Sequence, residues 1–155
     1  MKTGASEKNI LSSYRTADPY GRLEIVFENY HIFPKVIRKM EKKTQYKIKA
    51  EREYMRSHSK GDLGVRVQTS NLSDVTADEA IANVTIEEAF VTGVLDPGIL
   101  KGVENASSYE ADIRIISIMK DDYELIAECV EAMDESDSQL MKGFLVQRKY
   151  IKELA

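Results

Sequence analysis

Apolar residues in this chain recur mainly at three- and four-residue steps, the spacing that places them on one face of an α-helix. Leu23, Val26, Phe27 and Tyr30 open such a series. Pro34 interrupts it, because proline lacks the amide that the preceding turn needs, so a kink or a restart is predicted there. Phe33, Val36, Ile37, Met40, Thr44 and Ile48 then form a second face that continues to Met55. This is the longest helix expected, roughly twenty residues and thus ~30 Å at the standard rise. Ala80, Ile81, Val84, Ala89 and Phe90 carry a further helix to about Thr92, with Thr76 and Glu79 at capping-box spacing. Gly93 is its stop, and Asp96-Pro97-Gly98 reads as a turn.

Ser107 and Glu110 form another capping box, followed by a face of Ile113, Ile116, Met119, Tyr123, Ile126, Ala127 and Val130. That helix is expected to reach Met133, with Asp121-Asp122 as a surface patch or a break. Ser136 and Gln139 repeat the box spacing, and Leu140, Met141, Phe144 and Leu145 share the next face. Gln147-Arg148-Lys149 breaks the apolar pattern, and Tyr150, Ile151, Leu154 and Ala155 begin a last face.

Between these series the pattern weakens. Met1 to Tyr20 is polar and mixed, so it is expected to be loose or only partly helical. Val65 to Thr69 alternates as a strand would, but a strand needs a partner and none is evident. The fold class expected is therefore all-α: a long kinked N-terminal helix, a polar hinge, and a C-terminal group of three to four helices. In residue terms this gives a tail and long basic arm over 1–57, the hinge over 58–77, and a helical domain over 78–155.

Composition adds little to that picture and charge adds more. The 43% hydrophobic content can fill a core, but 8% aromatics and no Trp make it lean. No apolar run approaches the length of a membrane span, and the first thirteen residues lack the apolar segment of a secretory signal. A single cysteine, Cys129, cannot form an internal disulfide, which fits a reducing cytoplasm. The net charge of −4 hides an asymmetry. Lys35 to Lys60 holds ten Lys or Arg against three Glu, a balance of +7, which leaves −11 on the remainder.

Nine cations of that arm, Lys35, Arg38, Lys39, Lys42, Lys43, Lys47, Lys49, Arg52 and Arg56, line one helical segment together with Tyr46 and Tyr54. Such a helix can lie along the phosphate backbone of DNA, releasing counterions at each contact. It can equally remain solvated or face an acidic protein surface. Phe33, Ile37, Met40, Thr44 and Ile48 also follow a nearly heptad seam, which would join two copies in a homodimer if nothing else covers it.

Signals for catalysis are thin. Glu124, Glu128 and Glu131, with Glu87 and Glu88 one helix earlier, could recruit Mg²⁺ as in all-helical nucleotide pyrophosphatases. The Glu87-Glu88 pair lacks a further acid three residues on, where Val91 stands, so a solvated acidic face is the expectation. His31 and His58 are isolated in sequence, and zinc needs about four ligands. Cys129 beside an apolar face reads as a small buried hydrophobe without a partner base. Gly61 and Gly64 lack the Gly-Lys-Ser/Thr of a phosphate loop. No enzyme activity, cofactor or metal is expected.

The segment from Asp137 to Leu145, "Asp-Ser-Gln-Leu-Met-Lys-Gly-Phe-Leu", and the phrase Tyr150-Ile-Lys-Glu-Leu-Ala155 resemble the opening of the helix-turn-helix in region 4 of sigma-70-type factors and in small phage regulators of the ArpU/RinA type. Leu63 to Ser70 and Asp74 to Ile81 are similar to the middle of the same regulators. The resemblance implies a basic turn at 147–149 and a phage-type transcriptional regulator that binds DNA, RNA polymerase or both. It departs from the family where the recognition helix would follow, so bases should not be read through that motif. The alternative is a helical protein–protein interaction module without DNA binding. A Mg²⁺-dependent all-α pyrophosphatase stands third.

Overall fold

The structure, a computed structural model, describes residues 7–58 and 75–154, with side chains described at 7–58 and 76–146. Six helices account for its regular structure and no strand occurs among the described residues. They are α1 (Glu7–Thr16), α2 (Pro19–Glu28), α3 (Phe33–His58), α4 (Val75–Thr92), α5 (Ala106–Glu131) and α6 (Glu135–Leu154). The alternating stretch Val65 to Thr69 and most of the 58–77 hinge lie outside the described residues. The chain divides into two units. One comprises 1–39 and 118–155, the other 40–117, so α3 and α5 each contribute to both.

In the first unit, Asp18 caps α2 by accepting the Gly21 amide at 2.9 Å, with Pro19 in the first turn, where its missing N–H goes unneeded. Asn29 ends that helix, its Nδ2 donating to the Ile25 carbonyl at 2.8 Å. Pro34 likewise falls in the first turn of α3, so the chain restarts a helix there instead of kinking one. Ile10, Tyr14, Val26, Phe33, Val36, Met119, Val130 and Leu145 are buried. Tyr30 stacks on Tyr123 with ring centres 4.8 Å apart, and Tyr14 lies 5.8 Å from Phe33. The Tyr14 hydroxyl donates to Asp122, and Arg22 Nε lies 3.4 Å from the same carboxylate. Asp122 is thus an anchor within an unbroken α5, and the chain does not break at Asp121-Asp122.

α6 corrects two expectations. It starts at Glu135, where the Asp134 carbonyl accepts the Ser138 amide at 2.8 Å, so Ser136 lies inside the helix instead of capping it. It then runs unbroken through 147–149 to Leu154, so the basic turn is absent. Among its described side chains Ser138 and Leu145 are buried, with Leu140 76% exposed and Phe144 partly so. The side chains of Tyr150, Ile151 and Leu154 lie outside the described residues.

In the second unit, Met40, Thr44 and Ile48 of α3 are buried, as are Ala82, Ile86, Ala89 and Phe90 of α4, Leu95, Leu100 and Val103 of the connection, and Tyr109, Ile113 and Ile116 of α5. Phe33, Ile37, Met40, Thr44 and Ile48 are all buried within one chain, which removes the reason for a second copy to cover that seam. α4 departs from the pattern: Ile81 and Val84, expected inward, are exposed, and Ala82 and Ile86 are buried in their place. Gly93 ends α4 at φ 76, a left-handed conformation that favours glycine. A Cβ there would also stand 3.2 Å from Ser117, whose hydroxyl donates to the Val91 carbonyl at 2.9 Å. Asp96 makes the expected turn, accepting the Gly98 amide through its side chain at 2.8 Å.

The start of α5 is held from a distance. Glu51 on α3 accepts the Glu104 and Asn105 amides at 2.9 and 3.2 Å and the Tyr109 hydroxyl at 2.5 Å. α5 itself begins at Ala106, with the Tyr109 amide bonded to the Asn105 carbonyl, so the Ser107–Glu110 box falls within the first turn.

Candidate nucleic-acid interface on helix α3

The nine cations proposed from sequence all lie on α3, and the structure sorts them into different roles. Lys35, Arg38, Lys39, Lys42, Lys43, Lys47, Lys49 and Arg56 are exposed, whereas Arg52 is half-buried. At 3.6 residues per turn they do not share one stripe. Lys42 and Lys49 recur after two turns on one side of the buried strip, and Lys43 and Lys47 emerge on the other side. Lys39 is engaged by Glu7, at 2.7 Å, and that bond holds the Glu7 carboxyl below its ordinary range.

Lys42 and Lys49 border a groove of about 340 Å³ between α3 and α4. Gln45 and Tyr46 of α3, with Asn83 and Glu87 one turn apart on α4, complete its lining. Tyr46 is 73% exposed, so its ring face is open to a ligand; Tyr20 and Tyr54 are likewise exposed elsewhere. None of the six side chains makes a hydrogen bond or ion pair with another described residue. Two ammonium groups, two amides and a phenol therefore meet in one groove, none of them bonded to another described residue, beside a single carboxylate.

One to two turns further along α3 the picture reverses. Arg52 Nη1 donates to the Ile99 carbonyl at 2.8 Å and Nη2 to Glu79 at 3.3 Å. Arg56 Nη2 donates to the same Glu79 oxygen. Burial pushes the Glu79 carboxyl up, but the bonds from Arg56 and Arg52 outweigh it and hold the group below its ordinary value. These arginines, together with Lys101, line a second cleft of about 280 Å³ floored by Met55, Ile99 and Val103. Sequence spacing placed Arg52 and Arg56 in the same stripe as Lys42 and Lys49, but Glu79 commits them to α4.

The other candidates are dispersed over the described residues. Cys129 is exposed, not buried as its place beside an apolar face suggested. His58 stacks on Tyr54 at 3.9 Å, with Nδ1 2.9 Å from the Tyr54 carbonyl, so it closes the end of α3. Glu87, Glu88, Glu124, Glu128 and Glu131 are all exposed, and no cluster of three or more metal-binding side chains occurs among the described residues. No described helix is long and apolar enough to cross a membrane. Residues that spacing alone did not bring to the site are Gln45 and Asn83, because nothing in a single chain's periodicity pairs one helix with another. Comparison with family models, with curated proteins and with solved structures finds no match to this chain.

Proposed function

We propose that this chain is a small all-helical regulator that contacts nucleic acid through phosphates, using the Lys42–Lys49 side of α3. One observation carries the reading: two exposed lysines on one side of a helix, without ionic partners among the described residues, border a groove rich in unspent donors. Lysine offers a hydrated, mobile charge suited to phosphate whatever the base sequence. The resemblance of Asp137 to Leu145 to sigma-70 region 4 and ArpU/RinA-type regulators is the ground for assigning the contact to transcriptional control, with RNA polymerase as a further partner. The unbroken α6 supplies no turn that would present a reading helix, so the binding is expected to be indifferent to sequence.

The test is fluorescence anisotropy with a labelled duplex at low ionic strength. Reversing both charges, Lys42→Glu with Lys49→Glu, should weaken binding sharply. It should also flatten the slope of log affinity against log salt by about 0.9 for each phosphate that is no longer neutralised. Wild-type protein that binds neither this duplex nor a single strand at low salt refutes the proposal.

A specific observation favours the alternative of a protein-interaction module. Ile81, Val84 and Val91 are exposed at 64%, 55% and 65% along the outer side of α4. Isolated exposed apolar residues are ordinary, but a row on one helix is the usual form of a helix-recognition face. Ile81→Asp leaves duplex affinity unchanged under the first reading and abolishes protein association under the second.

A further inference from the structure

We infer that the α3–α4 groove holds one unpaired nucleotide, so that the ligand of this face is a single-stranded nucleic acid and not a duplex. The inference rests on the reading that Lys42 and Lys49 meet phosphates, and goes further by assigning a purpose to the rest of the groove. A phosphate backbone needs cations and nothing more. This groove adds an aromatic ring, Tyr46, lying between the two lysines in sequence and 73% exposed. Bases within a duplex already stack on their neighbours and offer no free face to such a ring, whereas an unpaired base does.

The remaining lining suits a base edge. The Gln45 and Asn83 amides each carry donors and an acceptor, and neither is used within the described structure. The Glu87 carboxylate accepts only, so it meets a base imino or amino group favourably and a phosphate unfavourably. That places the phosphates toward the lysines and the base toward α4. At about 340 Å³ the groove lies at the small end of ligand clefts, and only one aromatic ring, Tyr46, lines it for a base to stack on. The second cleft along α3 offers none of this, since its arginines are already spent on Glu79 and the Ile99 carbonyl.

Three probes separate the contributions: a ten-nucleotide oligothymidylate, an abasic oligomer of the same length, and a duplex. Wild-type protein should bind the oligothymidylate more tightly than either of the others. Tyr46→Ala should lower oligothymidylate affinity about tenfold or more, to the level of the abasic oligomer, and leave abasic and duplex binding unchanged. Tyr46→Phe should keep the affinity, because the ring and not the hydroxyl does the stacking. Circular dichroism melting of each variant should match wild type, as Tyr46 is exposed. Equal loss by Tyr46→Ala on all three probes, or no loss on any, overturns the single-strand inference while leaving the phosphate reading intact. Absence of binding to every probe at low salt removes both.

Discussion

Two parts of α3 carry similar charge and have opposite fates. At Lys42 and Lys49 the cations border a groove in which no described partner engages them. At Arg52 and Arg56 the cations converge on Glu79, and Arg52 also ties down the Ile99 carbonyl. The residue types fit those roles. A guanidinium presents several donors in a fixed plane and is weakly hydrated, so it is suited to joining elements inside a fold. An ammonium on a flexible stem is strongly hydrated and is easily kept available for a ligand. The difference shows that a basic helix need not be one uniform surface: Arg52 and Arg56 are committed to Glu79 within the second unit, whereas Lys42 and Lys49 meet no described counter-charge.

The sharpest way to break this comparison is to remove Glu79. Glu79→Ala leaves the half-buried Arg52 without its counter-charge, and losing one member of a fully buried pair costs about 3–5 kcal/mol. Both side chains retain about a fifth of their exposure, so solvent screening reduces the expected loss to about 2 kcal/mol. Urea unfolding measures it; a change under about 0.5 kcal/mol, the scale of ordinary surface substitutions, would show that the Arg52–Arg56 end is no more structural than the lysine end.

Next in size is the pH dependence of the same region. Glu79 and Glu51 both have folded values below the ordinary 4.5. For Glu51 the leading cause is the hydrogen bond from Tyr109. Their stabilisation is complete above the unfolded value and is lost as pH falls through the folded one. The acid limb of stability should thus begin below about pH 4.5 and be shallower in Glu79→Ala. Tyr109 behaves oppositely: burial, then its bond to Glu51, pushes it up to about 12. Its contribution is complete below the ordinary value of 10.0 and lost as pH rises toward 12. Thermal melts across both ranges check the two limbs.

Glu51→Ala should cost about 1 kcal/mol, the usual size of a missing helix cap, in chemical denaturation. The smallest stability effect is expected where function is proposed. The charge reversals at Lys42 and Lys49 should change unfolding free energy by no more than about 0.5 kcal/mol while sharply weakening nucleic-acid binding. A larger loss would mean that the groove lysines also hold the fold together.

Much of the helical architecture was legible because helix signals are local. The Gly93 stop, the Asp96 turn, and the buried Ile113, Ile116, Met119 and Val130 of α5 follow directly from spacing and residue type. The orientation of α4 was not legible, because Ile81 and Val84 on one side and Ala82 and Ile86 on the other are all apolar. Period alone cannot choose between two apolar faces when tertiary neighbours make the choice. Of the candidate site, the lysines and Tyr46 could be found as a basic aromatic segment. Arg52 and Arg56 could not be told from them, because Glu79 lies 27 and 23 residues away in sequence. The unbroken α6 differs from the resemblance for a related reason: Gln147-Arg148-Lys149 interrupts the apolar pattern without containing any residue that disfavours a helix.

The reach of Glu51 across 53 residues has a kinetic meaning. The amides of Glu104 and Asn105 can be protected only after α3 has closed against the chain segment that leads into α5. During refolding, pulse-labelled exchange at these two positions should therefore record the arrival of a partner distant in sequence and not the local winding of α5. With Glu51→Ala they should lose protection while amides deeper in α5 keep theirs, so two protons serve as a clock for the closing of a long loop in the second unit.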